Sequence, residues 1–224
     1  KAAMLELRDV HAWYGAAQAL VGVNLRVRPQ EMVVLQGLNG AGKSTLLQAI
    51  MGIGPRVQGF ISYQNRSITG LPSHQRARLG LGFVAEDRRL FTALSVRDNL
   101  LVAARAPQTH AQGWAALAVA QRLERVLDLF PALSTMLERS AAQMSGGEQQ
   151  MLGLARTLMT GPTLLLLDEP CEGIAPVLVA AMRDAVLALQ RDGMSLLVAE
   201  QNGILATRAD RVITLKAQTP LHAD

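Results

Sequence analysis

The stretch Gly37-Leu-Asn-Gly-Ala-Gly-Lys43-Ser44-Thr45 has the spacing GxxxxGK[ST]. An apolar run over 32–35 stands before it, and a helical pattern over 44–51 follows and is closed by Gly52. Strand, glycine-rich turn and helix in that order leave few folds open, because the turn must bring backbone N–H groups and a helix N-terminus to one point. Such a point attracts phosphate. The glycines let successive N–H groups converge, the helix end adds partial positive charge, and Lys43 reaches the terminal phosphates while Ser44 offers a hydroxyl to Mg²⁺. The candidate phosphate ligands are therefore Gly37, Asn39, Gly40, Ala41, Gly42, Lys43, Ser44 and Thr45. The bland alternative is an ordinary glycine-rich turn before a helix, which explains neither the lysine nor the strand.

The rest of the chain builds a scaffold for that turn. Half of the 224 residues are hydrophobic, enough for a sizeable core, which excludes collagen-like and disordered chains and favours one domain with a subdomain. Apolar runs at 4–10, 20–27 and 32–36 read as strands. From about 86 to 144 the pattern is helical, with candidates at 96–105 and 115–130 broken by Pro107 and Pro131, and it contains no convincing strand. A helix to about 160, a strand at 164–167, a helix at 177–190 and a strand at 195–199 complete the pattern. Helices between apolar strands predict an α/β fold with a parallel sheet. We expect a single domain over 1–224, its core formed by 1–85 and 161–224 and its helical subdomain by 86–160.

Two further groups of residues carry chemistry. Four leucines, 164–167, run into Asp168 and Glu169, placing two acids at the carboxyl end of a strand, where ligands of open α/β sheets sit. Beside a phosphate loop, Asp168 suits Mg²⁺ and Glu169 suits polarisation of water. Ser145-Gly146-Gly147-Glu148 reads as a capping box, and its two glycines suggest that something approaches this helix start closely, such as a phosphate held by another molecule.

A net charge of +4 favours anionic company without choosing it, and the lone Cys171 excludes an intramolecular disulfide and points to a reducing compartment. No apolar run reaches the roughly 18 to 20 residues of a membrane-spanning helix.

Met144-Ser-Gly-Gly-Glu148 resembles the LSGGQ signature of ABC-type ATPases, and together with 37–45 and 164–169 in the same order the resemblance covers essentially the whole chain. It implies a P-loop NTPase core with a small antiparallel β portion and a helical subdomain, and a nucleotide-binding subunit that hydrolyses ATP with Mg²⁺. It also implies a head-to-tail dimer in which Ser145, Gly146, Gly147 and Glu148 meet the nucleotide of the opposing subunit. By the same resemblance Tyr14 packs against adenine, and residues 171–176 form the loop after the two acids.

Glu86 stands where most of the family has a glutamine that senses Mg²⁺ and the attacking water, and Gln201 where most have a histidine on the γ-phosphate. Gln201 can donate a hydrogen bond but cannot carry a proton or a positive charge. Two alternatives follow: hydrolysis in this chain's own site through Glu169, or a site that mainly supports a partner's. The combination of Glu86, Gln201 and the residues around them resembles one of the two ATPase subunits of branched-chain amino acid importers.

That likeness implies a heterodimer with a second ABC ATPase subunit, membrane permease subunits coupled near Arg88, Arg89 and Phe91, and indirectly a substrate-binding protein. It further implies a peripheral place at the cytoplasmic face of the inner membrane. An ABC ATPase serving a different substrate, a soluble P-loop kinase and a DNA-repair or translation ATPase are the rivals; no basic stripe for nucleic acid is visible, and no nucleic-acid partner is expected. After 210–215 the family usually continues through a glycine turn into another strand, whereas 216–224 contain no glycine.

Overall fold

The computed structural model describes residues 3–108 and 111–216, so the expectation for the segment after 216 lies outside the described residues. The first strands, β1 (Leu5–Tyr14) and β2 (Ala17–Val27), form a hairpin around Gly15. Then follow β3 (Met32–Gln36), α1 (Lys43–Met51), β4 (Arg56–Tyr63), β5 (Arg66–Ser67), α2 (Ser73–Leu79) and β6 (Leu81–Val84). Helices α3 (Val96–Ala103), α4 (Val119–Leu129), α5 (Pro131–Ser134) and α6 (Gly146–Leu158) come next. The chain closes through β7 (Leu164–Asp168), α7 (Pro176–Arg191), β8 (Ser195–Glu200) and β9 (Arg211–Thr214).

The strands sort into an antiparallel sheet ordered β2-β1-β4-β5 and a parallel sheet ordered β6-β7-β8-β3-β9. Register decides what the parallel sheet presents. Gln36 pairs with Glu200 and Asp168 with Ala199, so β3, β7 and β8 end level and deliver Gly37, Glu169 and Gln201 to one rim. Both faces of this sheet are covered, as the unbroken leucine run of β7 requires. Leu164 and Leu166 pack with Leu35, Leu46 and the inner face of the antiparallel sheet, whereas Leu165 and Leu167 pack with Leu154 of α6 and Met182 of α7.

Arg122 organises the helical part. It is fully buried and donates to the carbonyls of Trp114 (2.8 Å), Ala115 (3.1 Å), Arg105 (2.6 Å) and Met159 (3.1 Å), tying the connection before α4 to the end of α6. Burial holds its guanidinium below the usual arginine range. The helix expected from 115 begins at Val119, because residues 113–116 form a short 3₁₀ turn that buries Trp114. Among the described residues no helix is long and apolar enough to cross a membrane.

Strands β4, β5 and β6 and helix α2 are additions to the sequence reading. In β4 only the last three residues are buried, so it lacks the alternation that marks a half-buried strand. Its Gly59, at φ 105°, crosses β1 so closely that a side chain there would lie 2.2 Å from the Asp9 carbonyl oxygen.

Candidate functional site

Residues 37–45 bridge β3 and α1 at the level rim. Gly42 caps α1 in the left-handed region, at φ 96°, and a Cβ there would lie 2.7 Å from Leu20 Cδ2. A Cβ on Gly37 would lie 2.6 Å from the Leu215 carbonyl oxygen. Both glycines are therefore demanded by the fold around the loop.

Lys43 is buried, 5% exposed, with its ammonium donating to the carbonyls of Gly37 and Leu38, the latter at 3.3 Å. It also lies 3.5 Å from Glu169 Oε1. Ser44 Oγ donates to Asp168 Oδ1 at 3.0 Å, joining the first turn of α1 to the end of β7. Glu169 sits at φ 46°, uncommon for a residue with a side chain, and its N–H is anchored on the Ala199 carbonyl at 2.8 Å. Its Oε2 accepts the backbone N–H of Gln201 at 3.2 Å. The Gln201 side chain is exposed, so the contact with Glu169 belongs to the backbone and survives a change of side chain at 201.

These groups surround a cleft of about 300 Å³ lined by Asn39, Gly40, Gly42, Lys43, Ser44, Thr45, Glu86, Glu169 and Gln201, together with Gln18, Ala19 and Glu172. An adjoining hollow of about 410 Å³ shares Ser44 and Glu86 and adds Gln48 and Asp168. Of the candidates, Tyr14 stands beside these hollows, its hydroxyl donating to Gln48 Oε1 at 2.7 Å. Residues 145–148 line neither. Gln18 and Gln48 were not singled out from the sequence, and Glu172 only as part of the loop 171–176; the hairpin at Gly15, which folds the start of β2 over the loop, hints at Gln18.

Burial pushes the Asp168 carboxyl above the usual range, against the lowering effect of the Ser44 hydroxyl, with Glu86 raising it further. Burial likewise raises Glu169, which the Gln201 N–H and Lys43 partly offset. A carboxyl raised by folding destabilises the fold while ionised, and the deficit shrinks as pH falls below its folded value and is gone below its unfolded value. Asp168→Asn, which keeps an oxygen for Ser44, is accordingly expected to raise the Tm of the ligand-free chain at pH 7, by an increment that shrinks in acid. Thermal melts at the two pH values check this, and a lowered Tm at pH 7 contradicts it.

The signature segment has its own geometry. Ser145 Oγ accepts from the Glu148 N–H at 3.2 Å while the Ser145 N–H donates to Glu148 Oε2 at 2.7 Å, a reciprocal cap on α6. The glycines also have reasons inside the chain. A Cβ on Gly147 would lie 2.3 Å from Leu178 Cδ1, and one on Gly146 would lie 3.3 Å from Arg88 Nη2. Cys171 is buried, and burial together with the Glu200 charge pushes its thiol up to about 12, which makes it a packing residue.

A family profile described as ABC transporter matches residues 20–172. The chain belongs to the ABC transporter family. It is 39% identical over 214 residues to the high-affinity branched-chain amino acid transport ATP-binding protein BraG of Pseudomonas aeruginosa, covering 95% of this chain and 89% of that protein. A probable branched-chain amino acid transport ATP-binding protein, LivF, of Archaeoglobus fulgidus is 32% identical over 200 residues, covering 89% and 82%. A solved nucleotide-free ATP-binding cassette from an ABC transporter matches with a TM-score of 0.81 at 24% identity, covering 96% of this chain and 88% of that one, which establishes the shared fold. This ABC chain is thus an ATPase domain with the P-loop α/β architecture expected from its sequence.

Proposed function

We propose that this ABC chain binds ATP with Mg²⁺ at the rim formed by 37–45, 168–169 and 201, hydrolyses it, and thereby drives import of branched-chain or related amino acids through partner permeases. The observation that carries the chemistry is Glu169: a carboxylate at the phosphate loop, held between Lys43 and the Gln201 N–H. The cargo follows from the likeness to BraG and LivF.

The residues suit the reaction. Phosphate oxygens compete with the Gly37 and Leu38 carbonyls for the Lys43 ammonium, and the N–H groups of the loop and of the start of α1 hold the rest of the polyphosphate. Ser44 and Asp168 offer adjacent hard oxygens, and an acidic lining of Glu86, Glu169 and Glu172 against Lys43 favours a divalent cation beside the nucleotide. Bound Mg²⁺ would neutralise charge on the β- and γ-phosphates. Glu169, anchored through its own N–H and through the Gln201 N–H, orients water for in-line attack and accepts its proton, while Glu86 flanks the same point. Tyr14, hydrogen-bonded to Gln48 of α1, serves the adenine side.

In this reading Ser145, Gly146, Gly147 and Glu148 serve the nucleotide of a second ABC subunit, with residues 86–160 acting as the helical arm that carries them. Permease subunits dock beside that arm at the cytoplasmic face of the membrane, and a substrate-binding protein delivers cargo to them from the other side. Phe91 is exposed and available for the docking. The Arg88 guanidinium is instead engaged inside the chain, on Gln149 and Gln150.

The neutral side chain at 201 favours a second reading, in which this site turns over slowly and mainly supports the partner's. Gln201→His tests it: because the Gln201 contact to Glu169 is through the backbone, the substitution adds a proton carrier without removing that bond. If the missing imidazole limits chemistry, kcat rises at unchanged KM; an unchanged kcat overturns the second reading. Both constants come from steady-state phosphate release.

A further inference from the structure

The signature helix of this chain is bolted to the residues that follow its own Glu86. Beyond the end of β6 the chain makes two tight turns, with the Arg88 N–H on the Ala85 carbonyl at 3.1 Å and the Arg89 N–H on the Asp87 carbonyl at 2.7 Å. Arg88 and Arg89 are both left-handed, at φ 60° and 47°, a conformation that persists in such residues only where the surroundings hold it. The surroundings are α6. Arg88 Nε donates to Gln150 Oε1 at 3.1 Å and its Nη1 to Gln149 Oε1 at 3.3 Å. Almost two helical turns further on, Arg156 Nη1 donates to the Arg89 carbonyl at 2.6 Å, and the Arg156 guanidinium lies 4.7 Å from the centre of the Phe91 ring. A segment fixed to a helix at two separated points cannot shift without taking the helix with it.

We propose that Arg88 is a positioning residue that transmits the state of this chain's own nucleotide cleft to Ser145 and Gly146, and so to the site that the signature serves. The proposal rests on the reading above, in which Glu86 flanks bound nucleotide. Glu86 lines the cleft, Arg88 lies two residues on, and its planar fork spans two acceptors on the first turns of α6. The guanidinium also passes so near Gly146 that a Cβ there would lie 3.3 Å from Nη2, so the fork reaches the signature itself. Gln150 Nε2, buried, has no acceptor among the described residues. A buried amide with one half unpaired is a costly choice for packing alone; here its oxygen is the half in use, by Arg88.

Hydrogen–deuterium exchange of residues 145–151, with and without saturating MgATP and beside a direct measurement of MgATP affinity, tests the proposal on the purified chain. In the wild type, MgATP is expected to change protection at 145–151. Arg88→Ala is expected to bind MgATP with unchanged affinity and to lose that change, its nucleotide-free exchange elsewhere remaining as in the wild type. The paired variant Gln149→Ala, Gln150→Met removes the acceptors and leaves the arginine in place; it is expected to lose the change in the same way, which keeps the test open if Arg88→Ala does not fold. Retention of the full change in either folded variant, or its absence from a wild type that binds MgATP, overturns the role of Arg88. A wild type that does not bind MgATP overturns the proposed function, and this proposal with it.

Discussion

Lys43→Ala is expected to weaken MgATP binding by ~2–5 kcal/mol, on the order of 30- to 4,000-fold, the cost of removing one partner from a buried charge-assisted contact. The balance of charge in the cleft makes this the largest expected effect on affinity. Among the described residues lining it, Lys43 is the one cation, facing Glu86, Glu169 and Glu172. Without the ammonium no side-chain cation of the cleft offsets these carboxylates beside a polyphosphate, and Glu169 loses the cation 3.5 Å from its Oε1. The fold should persist, since α1 keeps its caps at Gly42 and Gly52 and its apolar face on the sheet. Titration calorimetry with MgATP reads the affinity, and circular dichroism shows whether the fold is intact; a folded variant with wild-type affinity contradicts the placement of the phosphates at 37–45.

Glu169→Gln is expected to do the converse: to keep nucleotide affinity, or raise it, while lowering kcat by about 10²–10⁴-fold, the usual contribution of a positioned general base. The amide has nearly the same shape, and the anchor from the residue 169 N–H to the Ala199 carbonyl does not involve the side chain. The ability to take a proton from water is lost, together with the negative charge that faces Lys43. Removing a negative charge next to the phosphates also reduces repulsion, which is why affinity should not fall. Phosphate release and equilibrium binding, measured on the same preparation, separate the two effects. A parallel loss of affinity and turnover would make Glu169 a binding residue instead.

Which candidate residues of this chain lie together is more legible in its sequence than its architecture is, for physical reasons. Lys43, Ser44, Asp168 and Glu169 come together because two short strands, each of four apolar residues and a polar last one, lead to them, β7 directly and β3 through the glycine-rich loop 37–42, so the linear pattern already carries the geometry. The capping box at Ser145 is equally local. By contrast, β4 pairs with β1 across a bulge at Asp9 and Val10 of β1, opposite Gly59, and buries only its last three residues, so no periodicity announces it. Gln18 and Gln48 reach the cleft only through packing of the hairpin and α1 that no local pattern contains. The late start of α4 has the same origin, since Trp114 is drawn into the core and Arg122 gathers four carbonyls from three separate segments. Gly146 and Gly147 sound a related warning. The sequence suggests a visitor at the helix start, and the fold supplies Arg88 and Leu178 as resident reasons for the same two residues.

The most direct measurement is steady-state phosphate release from MgATP by the purified chain, alone and with a second cassette, each beside the Glu169→Gln variant of this chain. The account predicts turnover that Glu169→Gln removes from this chain's share, with nucleotide still bound. Turnover that appears only with the second cassette and is undiminished by Glu169→Gln would contradict it, and would leave this chain as a nucleotide-binding subunit whose signature serves the other site.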